Sequence, residues 1–162
     1  MKLTIAITAV AVGLASFTIG HITGQNENHL NTQTLENLST AMHGEGFAYV
    51  KYMLYAEHAR KGGDPKLAVL FEQTAKTERF EHFSTEAKLA GTVGSDIDNL
   101  KDAIKGENYE TTTMYREFAE QAEKAGDHNV AAQFEEIRQD EMKHRDAFSA
   151  ALAKLEAKAQ KH

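Results

Sequence analysis

Beyond residue 33, apolar side chains recur every three or four positions, the period of a helix that buries one face. One such stripe begins near Thr34 and stops at Gly62-Gly63. Asp64-Pro65 then supplies an N-cap and a first-turn proline for a second stripe, which reaches about Gly91. Ser95 or Asp96 caps a third, running to about Ala125. Gly126-Asp127 repeats the stop and restart, and a fourth continues almost to His162. The expectation is all-α: four long helices joined by short turns, forming a four-helix bundle over residues 34–162.

The two halves of that region read as copies. AEHARKGGD (56–64) lies over AEQAEKAGD (119–127), and the same offset places Phe71 on Phe134, Glu72 on Glu135 and Glu78 on Glu141. Identical residues recurring through turn and helix alike mark an internal duplication of a helical hairpin.

The first 24 residues are a different material. MKLTIAITAVAVGLASFTIG carries Lys2 and then an apolar run with no charge before Glu27. A short basic start followed by an apolar stretch with small residues is the pattern of an export signal, and 3–22 is also long enough to anchor in a bilayer. Lys2 ahead of the run keeps the amino end inside. Residues 1–24 are therefore expected to be a signal peptide or membrane anchor. Residues 25–33 then form a polar linker to an exported, periplasmic domain, soluble or held at the inner membrane.

Charge and composition narrow the function. A net charge of −6 without a basic stripe argues against nucleic acid. The sequence has no cysteine, which removes disulfides, thiolate metal sites and iron–sulfur clusters.

Each helical seam, apolar at both ends, carries a glutamate in its middle: Glu45, Glu78, Glu107 and Glu141. Glu110 lies one turn beyond Glu107, and His144 one turn beyond Glu141. Glu45 precedes its turn, and Glu78 follows it, by spacings that Glu107 and Glu141 repeat. Across a hairpin each pair falls within roughly 6 Å of one level at about 1.5 Å per residue. Buried carboxylates cost several kcal/mol each unless compensated, and no lysine or arginine shares these seams. Divalent cations are the natural compensation. An oxygen-rich donor set with one or two imidazoles suits iron or manganese, and less readily zinc.

Residues 34–155 resemble the rubrerythrin family of ferritin-like diiron proteins. MHGEGFAYVKYMLYAEHA is similar to the family's first ligand helix, GENYETTTMYREFA to its third with a Glu-x-x-Glu pair, and DEMKH to its closing Glu-x-x-His. The resemblance implies a ferritin-like bundle whose two iron ions are held by Glu45, Glu78, Glu107, Glu110, Glu141 and His144. It also implies that Tyr52 and Tyr115 hydrogen-bond ligand carboxylates. The implied activity is reduction of hydrogen peroxide, or of dioxygen, in defence against oxidative stress. With no rubredoxin domain, electrons would come from an external donor. The alternative is ferroxidase-like iron or manganese binding without efficient turnover. One departure concerns the second helix, where the family carries Glu-x-x-His and this chain reads TERFEH. Glu81 is the expected ligand because it keeps the seam of a regular helix; His82 takes its place if the helix bulges by one residue.

The connection between the second and third helices bears on assembly. In the ferritin-like arrangement these helices run parallel, which asks for a return path of roughly 35 Å. The five residues TVGSD span at most about 18 Å. Either the bundle is up-down-up-down, or two chains exchange hairpins in a domain-swapped homodimer; the second keeps the family's ligand geometry and is the expectation.

Overall fold

The computed structural model describes residues 30–160. The expected export segment and most of the expected linker lie outside the described residues. Helix α1 spans Thr32–Lys61, two residues longer at its start than expected, because Asn31 Oδ1 accepts the Thr34 N–H at 2.8 Å and caps it there. Helix α2 covers residues 65–90, opened by Asp64, whose side chain accepts the Leu67 N–H, and by Pro65 in the first turn. Gly91, at φ 64°, closes it in the left-handed conformation that glycine adopts without strain. Helix α3 covers residues 96–125, capped by Ser95 and closed by Gly126 at φ 86°. Helix α4 spans His128–Ala159. Among the described residues there is no strand.

Two of the four helices are not regular throughout. Glu78–Phe83 in α2 and Glu110–Met114 in α3 are π-helical, wide turns that house one extra residue each. Local hydroxyls take up carbonyls there: Ser84 Oγ donates to the Arg79 carbonyl at 3.0 Å, and Thr112 Oγ1 to that of Asn108 at 2.7 Å. Arg138 of α4 reaches the Thr111 carbonyl at 3.4 Å.

These insertions explain a slip in the duplication. Glu45 and Glu107 are 62 residues apart, whereas Tyr52 and Tyr115, or Glu78 and Glu141, are 63 apart. The π turn of α3 lies between the first comparison and the second. The π turn of α2 then undoes the slip, so that His82 and His144 are again 62 apart. Each hairpin thus carries one inserted residue, in a different helix.

The chain forms two antiparallel hairpins, α1 on α2 and α3 on α4. Corresponding aromatic trios brace them: Tyr52, Tyr55 and Phe71 in the first, with centroids 5.4–6.2 Å apart, and Tyr115, Phe118 and Phe134 in the second. Arg60 pairs with Glu72 in one, and Arg138 with Glu135 in the other.

One chain by itself does not close a four-helix bundle among the described residues. No helix of the first hairpin packs against a helix of the second among the described residues. The buried apolar residues are accordingly few and small, Met42 and five alanines (Ala56, Ala59, Ala68, Ala75 and Ala131). Two-helix hairpins have room between them for little else, and their inner faces stay open.

Candidate metal centre

The carboxylates expected at one level meet, in pairs. In the first hairpin Glu45 of α1 faces Glu78 of α2; in the second Glu107 of α3 faces Glu141 of α4. Each pair is joined by one imidazole. His82 Nδ1 stands 2.8 Å from Glu78 Oε2 and 3.7 Å from Glu45 Oε1. His144 Nδ1 stands 2.7 Å from Glu141 Oε2 and 3.9 Å from Glu107 Oε1. Within each trio the candidate ligand atoms lie no more than 4.8 Å from one another.

The two candidates of the second helix, Glu81 and His82, are placed differently. The Glu81 side chain is exposed and stands outside the trio, and the residue brought to the carboxylates is His82. The preference for Glu81 assumed regular α-helical phase. The π turn that starts at Glu78 winds one more residue into the turn, which moves His82 into the position that a residue three along would hold in a regular helix.

Electrostatics show carboxylates short of positive charge. Burial raises the affinity of Glu45 for its proton above the ordinary carboxylate range, helped by a hydrogen bond shared with Glu78 and by the charge of that group. Burial acts the same way on Glu107, followed by its hydrogen bond with Glu141. Glu110, which opens the π turn of α3, is raised by burial and then by the Glu141 charge, though it stands outside the trio itself. Tyr115 is pushed up by burial and by Glu110, Glu141 and Glu107, so its phenol lies in the field of the second cluster. Tyr52, at the corresponding place, packs against Tyr55 and Phe71.

Glu86 is absent from the sequence expectation. Its Oε2 is buried without a hydrogen-bond partner, and its charge adds to the raised proton affinity of Glu45. A regular helix puts residue 85 on the seam. Once one residue is absorbed by the π turn, Glu86 counts as seven beyond Glu78, about two full turns, and falls on the seam instead. Nothing but the bulge signals it.

A dimetal centre fits this donor set. A bound cation would offset the burial and the neighbouring carboxylate charge that raise the proton affinity of Glu107, and its orphaned Oε2 atom would gain a partner. Hard oxygen donors with one imidazole for each pair are what ferrous iron accepts.

The profile of the rubrerythrin family matches residues 36–152. The rubrerythrin of Porphyromonas gingivalis is 35% identical over 146 residues, covering 83% of this chain and 73% of that protein. Rubrerythrin-1 of Clostridium acetobutylicum is 36% identical over 141 residues, with 77% and 72% covered. Nigerythrin of Nitratidesulfovibrio vulgaris is 31% identical over 138 residues, with 76% and 68% covered. Among solved structures, nigerythrin in a mixed-valence state aligns at 30% identity over 84% of this chain and 73% of that one, with a TM-score of 0.39. With two carboxylate–imidazole clusters in a duplicated helical frame, and with the family profile and the rubrerythrin sequences matching nearly all of the helical region, the chain belongs to the rubrerythrin family of ferritin-like diiron proteins.

Proposed function

We propose that the protein is a diiron oxidoreductase that reduces hydrogen peroxide with electrons from a separate donor. The observation that carries this reading is the pair of Glu–Glu–His trios at corresponding places of the two hairpins. Glu45, Glu78 and His82 would hold one side of the centre, and Glu107, Glu141 and His144 the other, with Glu110 beside the second. Two ferrous ions bound there would supply the electron pair that cleaves the O–O bond of peroxide.

The chain's own groups handle the protons. Reducing one peroxide to two waters consumes two protons. Glu110 and Tyr115 hold theirs more tightly than free side chains do and stand near Glu141. His82 and His144 each turn Nδ1 into the cluster, 2.8 Å from Glu78 and 2.7 Å from Glu141. Electrons come from a separate donor in this proposal. The same proposal places the domain outside the cytoplasm, on the strength of Lys2 and the apolar run behind it.

Lack of thiolate iron also favours a second reading, ferroxidase-like binding or buffering of iron or manganese with slow turnover. Metal analysis of the purified protein, followed by anaerobic mixing of its ferrous form with peroxide and a reductant, separates the two. Fast, repeated oxidation supports the peroxidase; one slow oxidation supports the buffer. Absence of bound metal ends both.

A further inference from the structure

The two hairpins match trio for trio, yet each carries a carboxylate that the other lacks. Glu110 follows Glu107 by three residues, where the residue three beyond Glu45 is Ala48. Glu86 follows His82 by four residues, where the residue four beyond His144 is Phe148. The third carboxylate thus lies on opposite helices of the duplicated unit, on α2 in the first hairpin and on α3 in the second. Both Glu86 and Glu110 stand outside the trios themselves.

Glu86 differs from a surface glutamate in three ways. It is half-buried, and its Oε2 is closed to water with no hydrogen-bond partner. The other buried side-chain oxygen in that condition among the described residues is Oε2 of Glu107, inside the second trio. A buried polar atom left unpaired is costly, so its recurrence at both clusters points to a partner of opposite charge. Second, Glu86 is near enough to act on the first trio: after burial and Glu78, its charge adds to the raised proton affinity of Glu45. Third, the π turn at Glu78–Phe83 is what brings it to the seam. In a regular helix Thr85 would lie there and Glu86 about 100° round. At the equivalent place the second hairpin has the apolar side chain of Phe148, which is also half-buried.

We propose that Glu86 is a further metal ligand of the first cluster, beside Glu45, Glu78 and His82. Each hairpin then supplies three carboxylates and one imidazole, with Glu86 doing on α2 what Glu110 does on α3. Its three rotatable bonds let the carboxylate close on an ion without movement of the helix. Six carboxylates balance the six positive charges of two ferric ions, where four balance two ferrous ions, so the added group favours the oxidised pair. This inference rests on the dimetal reading. The contrary reading is a protonated carboxyl that merely fills the seam.

Anaerobic ferrous titration of the full chain and its variants, with urea unfolding of the same proteins in chelator, separates the two. Glu86→Leu supplies an apolar side chain where the second hairpin has Phe148. Metal-free, it should unfold at the same or a higher urea concentration than the natural chain, because an unpaired buried oxygen is gone. It should nevertheless bind ferrous iron about tenfold or more weakly. Opposite effects on the metal-free frame and on affinity are beyond a packing role. Glu86→Gln should weaken binding as well and raise the midpoint potential of the bound iron. Glu81→Gln, the same loss of charge on an exposed side chain, should change neither. Iron affinity in the Glu86 variants that matches the natural chain or Glu81→Gln overturns the proposal and leaves the dimetal reading standing. Loss of metal-free stability together with affinity in both Glu86 variants assigns the residue to the frame and also overturns it. Should Glu86→Leu fail to fold, Glu86→Gln decides by the same comparison. A natural chain that binds no iron overturns both readings.

Discussion

His82 stands 2.8 Å from Glu78 although it follows by four residues, while His144 stands 2.7 Å from Glu141 and follows by three. The two imidazoles reach equivalent places through different spacings, because a π turn begins at Glu78 and none interrupts α4. The ligand consequence is direct. His82→Ala should weaken metal binding by about tenfold or more, whereas Glu81→Gln should leave it unchanged. Iron titrations of the two variants check this, and the reverse order would restore the regular-helix reading.

Removal of Phe80 tests the π turn itself. Phe80 is 65% exposed, and its deletion converts Glu78-x-x-x-His82 into the Glu-x-x-His spacing of α4. A regular helix then carries the imidazole to the same place and keeps the later residues in phase. Metal content should be retained, and stability held or raised by about 1 kcal/mol as regular backbone hydrogen bonds return. Loss of metal from a folded deletion variant would show that the wide turn is needed for more than register.

The metal-free protein should lose stability as pH rises from 4.5 to neutrality. Glu45 and Glu107 bind their protons more tightly when folded than at their ordinary value of 4.5, first through burial and then through the hydrogen bond to the partner glutamate. A raised folded pKa contributes stability that is complete below the unfolded value and fades as pH climbs through the folded one. Glu135 works in the opposite direction, its hydrogen bond with Arg138 lowering it, but its contribution is lost only below the ordinary range. Urea unfolding in chelator at several pH values measures the slope, and Glu45→Gln with Glu107→Gln should flatten it. An unchanged slope in that double variant would remove these two groups as its cause.

Tyr115→Phe should slow peroxide turnover by about a hundredfold without changing iron content, since it removes a proton held beside Glu110, Glu141 and Glu107. Tyr52→Phe serves as the matched control and should slow it less. Equal losses in the two variants would assign both tyrosines to packing.

Ala75 is fully buried between α1 and α2, where close approach of the helices leaves no space for a larger side chain. Ala75→Leu should cost about 1–3 kcal/mol by forcing the hairpin apart. Ala132→Leu, on an exposed position of α4, should cost little. Denaturant midpoints compare them.

The sequence by itself determined the helices, their ends and the acidic level at their middles. Caps such as Asp64-Pro65 and stops such as Gly91 and Gly126 act within a few residues of themselves, and the repeated spacing of Glu45, Glu78, Glu107 and Glu141 needs only a constant rise per residue to be read. Phase after an irregular turn is not legible in sequence, so Glu81 and His82 stand as alternatives there and Glu86 falls off the regular seam. Whether a helix widens at Glu78 depends on what holds the freed carbonyls, here Ser84 in α2, and the same helix-forming residues would wind regularly without it. Tertiary structure also decided that the two hairpins stand apart. A five-residue connection permits folding back or staying open, and the bonds of Thr92 and Asn99 hold it open, leaving each trio facing outward.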